Sequence, residues 1–135
     1  MKNDNHVWDN KHPTAQMLGR WQPWHDGHTE LFKRAFEEHG QVCIMVRDVQ
    51  HADAGMGNTD NPWSYQEASV GIVHELTVAG YKYNQDFIVL RVPNIVDISY
   101  GRGVGYTFTE HDLGKDIHDI SATKIRKQMR EKGQL

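Results

Sequence analysis

The chain has 135 residues, 38% hydrophobic and 24% charged, with a net charge of -3. That is enough for one domain to bury a core without disulfides or a structural metal. The charge balance gives no overall attraction to nucleic acid or an anionic membrane, so neither a nucleic-acid polymer nor a membrane is an expected partner. No apolar run is of bilayer length, no signal-peptide pattern opens the chain, and the single Cys43 sits in an apolar run. It reads as a buried small hydrophobe in a reducing compartment, and a cytoplasmic location is expected.

Residues 1–14 are polar and aperiodic and form an extension expected to be mobile unless something docks it. Residues 15–135 form the domain. Ala15 to Leu18 read as a strand leading to Gly19. Asp26, Gly27 and His28 then open a helix whose apolar positions Leu31, Phe32, Ala35 and Phe36 recur at helical spacing, with Gly40 as a left-handed cap. Val42 to Val46 read as a buried strand, and Arg47 to Pro62 as a long surface loop.

Ser64 and Glu67 form a capping box for a helix carrying Tyr65, Ala68, Ile72, Val73, Leu76 and Ala79, closed by Gly80. Phe87 to Val92 read as a third strand ended by Pro93, and Ile95 to Tyr100 as a fourth before a glycine-punctuated segment. Ser121 caps a final basic helix with Ile125 and Met129. This order predicts an α/β fold: a single Rossmann-like, doubly wound domain with a mostly parallel sheet and helices on both faces. Ligands in such sheets sit beyond the carboxyl ends of the strands, which predicts a site from residues 19–28, 47–62, 99–105 and 121–126.

Gly19-Arg20-Trp21-Gln22-Pro23-Trp24-His25-Asp26-Gly27-His28 places two histidines three residues apart where a strand hands over to a helix. Gly27 admits a phosphate close to the backbone, and the first helical turn offers amide donors and a positive dipole end. The pattern suits phosphoryl or nucleotidyl transfer, in which stabilising charge matters more than supplying a nucleophile. Zinc ligation is the other reading of such a pair, but no HExxH or CxxC pattern accompanies it, and no protein-ligated metal is expected. Near the other end, Ser121-Ala122-Thr123-Lys124-Ile125-Arg126 puts hydroxyls and cations in the first turns of a helix, suited to a triphosphate tail or simply a capped, solvated basic face.

The decapeptide resembles the GRFQPxHxGH form of the HxGH nucleotidyltransferase (cytidylyltransferase-like) superfamily, in particular its archaeal-type nicotinamide-nucleotide adenylyltransferases. Ile120 to Arg126 resembles that superfamily's second signature, ISxTxIR. Asn61-Pro62-Trp63-Ser64 with Glu67 resembles the start of the archaeal-type middle helix. The resemblance implies that His25, His28 and Arg126 are catalytic, and that Gly19, Arg20, Trp21, Gln22, Gly27, Ser121 and Thr123 bind the nucleotide. Tyr100, Gly101 and Arg102 are expected to wall the donor base, and Trp24, Arg47, Asp48 and Trp63 to meet the acceptor.

Nucleoside monophosphate transfer is implied, most simply AMP from ATP with Mg²⁺ onto a small phosphorylated acceptor such as NMN, releasing pyrophosphate. A cytidylyltransferase using CTP and a phosphorylated alcohol or sugar, a sulfurylase, and a noncatalytic nucleotide-binding module stay open, as does a homo-oligomer. Ala68, where the pattern has Arg, the short region after Tyr100, and the tryptophans at 21 and 24 leave the acceptor unidentified.

Overall fold

A computed structural model describes residues 5–51, 61–103, 105–115 and 121–134. Three parallel strands, β1 (Ala15–Gly19), β2 (Val42–Arg47) and β3 (Phe87–Val92), lie side by side in sequence order. Helix α1 (Asp26–His39) connects β1 to β2, and α2 (Tyr65–Val78) connects β2 to β3. A third helix, α3 (Ala122–Glu131), follows. The register aligns Met17 with Ile44 and Ile44 with Val89, so alternate residues of all three strands share one face.

That face carries the core. Met17, Val42, Ile44, Val46, Phe87 and Val89 pack with Phe32, Ala35 and Phe36 of α1 and with Ala68, Ile72 and Leu76 of α2. Two successive right-handed crossovers that step the same way along a sheet put both helices on the same side. The fold is therefore α/β with a parallel sheet, but the helices differ from the expected distribution: α1 and α2 cover one face together. The opposite face carries Leu18, Cys43, Met45 and Ile88, half-buried, and Leu90, 42% exposed. Cys43 lies on that side and is only half-buried, not buried as its apolar neighbours suggested.

Local chemistry accounts for the element ends. Gly40 caps α1 at φ 72°, a conformation that glycine adopts without a Cβ clash. Ser64 and Glu67 form the reciprocal capping box of α2. Gln41, fully buried, docks the N-terminal extension: its Oε1 accepts from the Asp9 amide, and its Nε2 donates to the Asp9 carbonyl and the Thr14 hydroxyl.

Ile95 to Tyr100 form no strand. The Ile95 amide turns back to the Pro93 carbonyl and Arg47 donates to Asn94, diverting the chain from the sheet edge. Val96 is left 80% exposed and Ile98 55%. The long loop expected between Arg47 and Pro62 lies, over residues 52–60, outside the described residues, as do 104 and 116–120. Among the described residues, no helix is long and apolar enough to cross a membrane.

Candidate active site

The site is built at the carboxyl ends of β1 and β2. After Gly19 the chain turns through Trp21, whose φ of 54° lies in the left-handed region that bulky residues avoid. Two contacts hold it: the indole Nε1 donates to the Met45 carbonyl at 3.0 Å, and the ring lies against Gly19. A Cβ at position 19 would come within 2.8 Å of the Trp21 ring, so this approach requires glycine.

His25 is the N-cap of α1 and His28 is its third residue; the two imidazoles form a capping box. His25 Nδ1 accepts from the Gly27 amide and His28 Nδ1 from the His25 amide, each at 3.0 Å. A ring nitrogen that accepts carries no proton, so both neutral rings hold theirs on Nε2. The rings stack with centroids 3.6 Å apart and planes 20° from parallel. Burial, and then the neighbouring His25, lower the His28 pKa to about 3. Burial also lowers that of His25, against the opposing pull of Asp26. The pair is thus neutral near pH 7 and presents two Nε2–H donors. The helix amides expected to meet an anion are partly used by the histidines themselves.

Gln22 ties three segments together. Its side-chain amide exchanges hydrogen bonds with the Trp63 backbone, donating to the carbonyl and accepting from the amide, both at 2.9 Å. Its own carbonyl accepts from Arg126 Nη1 of α3 at 2.5 Å, across 104 positions of sequence. Arg126 is only 1% exposed, and its Nη2 also donates to the Thr123 hydroxyl. Ser121 serves as the N-cap of α3, accepting from the Lys124 amide. The early turn and the last helix are therefore brought together through the contact between Arg126 and Gln22.

Arg20 donates to Asn61, a residue only 1% exposed. Burial first, and Arg20's charge second, lower the Arg47 pKa from its ordinary value. Asp48 is bridged to Arg91 at 2.6 Å. Arg47 lines a cavity of about 320 Å³ with Leu18 and residues 95–98. The expected base wall is not assembled: Tyr100 is 65% exposed against Phe108, and Gly101 and Arg102 are exposed. Sequence reasoning passed over Thr29, which accepts from the Trp24 indole, and the fixing of Arg20 by Asn61. Only the Asn-Pro-Trp spelling hinted at the second.

No protein-family model matches the chain. It is similar to a nicotinamide-nucleotide adenylyltransferase of Methanococcus aeolicus, 26% identical over 121 residues that cover 84% of this chain and 66% of that protein. A Methanococcus vannielii protein of the same name is 27% identical over 81 residues, 60% of this chain and 42% of its own length. The chain thus spans about two thirds of the first relative and under half of the second. Its fold is shared with a bifunctional NMN adenylyltransferase/ADP ribose pyrophosphatase of Francisella tularensis, solved with AMP and a manganese ion. The TM-score is 0.52 at 23% identity, over 61% of this chain and 23% of the other. These likenesses bear out the Rossmann-like α/β architecture and the resemblance to the adenylyltransferases.

Proposed function

We propose that the chain is an adenylyltransferase that moves AMP from ATP onto the phosphate of nicotinamide mononucleotide and releases pyrophosphate. The observation that carries this reading is the Arg126 to Gln22 contact, which brings the basic start of α3 against the turn that holds His25 and His28. Both named archaeal relatives favour adenylyl transfer over cytidylyl transfer.

In this mechanism an acceptor phosphate oxygen attacks the α-phosphorus of ATP in line, and the bond from that phosphorus to the bridging α–β oxygen breaks. The attacking oxygen is already anionic, so no general base is needed. The protein contributes position and charge stabilisation. The Nε2–H groups of His25 and His28 donate to the phosphate oxygens as charge builds on them, and being neutral they keep both protons through the step. Arg20 and Arg47 supply positive charge at the strand ends. Arg126 holds Gln22 and the helix start in place, and Ser121 and Thr123 line the approach to the leaving pyrophosphate.

Among the described residues, no group of three or more His, Cys, Asp or Glu side chains is disposed to hold a metal ion. A divalent cation such as Mg²⁺ would enter with the triphosphate and offset charge on the leaving group.

Pyrophosphate release from ATP and NMN tests the reading. His28→Ala should lower kcat by about 10²–10³, the usual loss when one donor to a developing oxyanion is removed. Wild-type turnover in that variant, or no release from any acceptor by the native chain, rejects the assignment.

A further inference from the structure

An arginine stands at the carboxyl end of each strand or just past it: Arg20 after β1, Arg47 at the end of β2 and Arg91 near the end of β3. Their partners differ in charge. Arg91 is matched by a carboxylate, with its Nη2 2.6 Å and its Nε 3.1 Å from Asp48 Oδ2. Arg47 instead donates from Nη2 to the Asn94 carboxamide oxygen at 2.7 Å, and Arg20 donates to another carboxamide, that of Asn61. An amide oxygen fixes the direction of a guanidinium but leaves its charge, whereas a carboxylate fixes the one and cancels the other.

The carboxylates close to Arg47 in sequence or packing are committed elsewhere. Asp48, the next residue in the chain, is held by Arg91. Asp97, which lines the same cavity of about 320 Å³ as Arg47, accepts from the Ser99 hydroxyl. Among the described residues Arg47 is in no ion pair, Asn94 is its one hydrogen-bond partner, and its buried Nε has none. Burial and the charge of Arg20 disfavour its protonated form, yet a guanidinium stays charged near pH 7. Keeping such a cation half-buried without a counter-ion costs stability, and an anionic ligand relieves that cost on binding. The bond to Asn94 links the exits of two neighbouring strands, 47 positions apart in sequence, so Asn94 can set where the Arg47 fork lies.

We propose that Asn94 is a positioning residue: it holds Arg47 at the wall of this cavity as an uncancelled cation for a phosphate oxygen of a substrate. The word substrate rests on the transfer reading; the amide, the guanidinium and the cavity do not. A bond that merely steered the chain away from β3 would be served equally well by a carboxylate, and that difference supplies the test.

Calorimetric titration of the full chain with inorganic tripolyphosphate and with ribose 5-phosphate reads anion binding without any turnover. Asn94 is exposed, so substitutions there leave the core alone. Asn94→Asp keeps the shape and the hydrogen bond but pairs the charge, so at least one anion should bind about fivefold or more weakly, with thermal unfolding no lower than in wild type. Asn94→Ala removes the tether and should weaken the same anion about threefold, a loss that should vanish in an Arg47→Ala background because the residue acts through the guanidinium. Loss confined to tripolyphosphate assigns Arg47 to the donor's phosphate chain, loss confined to ribose 5-phosphate to the acceptor's phosphate, and loss of both to a place between them; each supports the proposal. Wild-type affinity for both anions in Asn94→Asp, or a lower unfolding temperature in that variant, overturns it. So does an Asn94→Ala loss that is absent from the native background or persists without Arg47, or binding of neither anion by the native chain. Anion binding that follows the expected pattern without pyrophosphate release from ATP and NMN defeats the transfer reading and leaves Arg47 and Asn94 in their roles. Pyrophosphate release with unchanged affinities in Asn94→Asp defeats this inference alone.

Discussion

Two imidazoles stacked at 3.6 Å make protonation of either one unfavourable, because the charge would be buried and would sit against its neighbour. In the unfolded chain His28 takes up a proton near its ordinary pKa of 6.5, whereas in the fold it does so only at about 3. Between those values the unfolded state binds more protons, so stability falls as pH drops from 6.5 toward 3, by up to about 1.4 kcal/mol per pH unit from this group. Denaturant titrations at pH 7, 5.5 and 4 should show that decline. His28→Gln keeps a capping-box residue at the same helical position, so it should flatten the slope while α1 stays capped. Gly19→Ala forces a Cβ to 2.8 Å from the Trp21 ring and should destabilise by about 1–3 kcal/mol, read from the same titrations. The histidine pair was visible in the sequence because its spacing straddles a strand-to-helix turn. Its capping geometry was not, since histidine is an unusual cap, and nothing near Gln41 announced that this residue would anchor the first strand's approach.

Helices α1 and α2 were legible because their caps and apolar stripes are local: Gly40, Ser64 and Glu67 act within a few residues of themselves. The segment 95–100 misled because an apolar run becomes a strand only if a sheet edge is available, and the turn at Pro93 steers it away. Helix α3 is an intermediate case. Its cap at Ser121 was readable, but its attachment depends on Arg126, the one residue of the helix that is buried. Ile125 and Met129 add only half-buried apolar contact. Arg126→Ala should therefore release α3: amide exchange over residues 122–131 should rise at least tenfold, while β1, β2 and β3 keep their protection. Unchanged exchange in α3 would show that apolar contact alone holds it. It would also remove the guanidinium from its place as the link between the two signature segments.

At the scale of the whole molecule, the described residues pack one face of the sheet closely and leave the other only half-covered, so neighbouring residues on one strand pair should differ sharply in what they contribute. Ile44 is fully buried between α1, α2 and the adjacent strands, and Ile44→Ala should cost about 2–5 kcal/mol. Leu90 belongs to the same β2–β3 ladder, opposite Met45, but points to the open face at 42% exposure. Leu90→Ala should change stability by no more than about 0.5 kcal/mol, as is usual for surface positions away from special features. Urea midpoints measured at two protein concentrations tenfold apart decide whether the open face stays open in solution. If a second copy covered it, Leu90→Ala would cost nearly as much as a core truncation and the midpoint would rise with concentration, because association stabilises by mass action. A small, concentration-independent effect at Leu90 beside a large one at Ile44 is the outcome that a core confined to the helix-covered face requires.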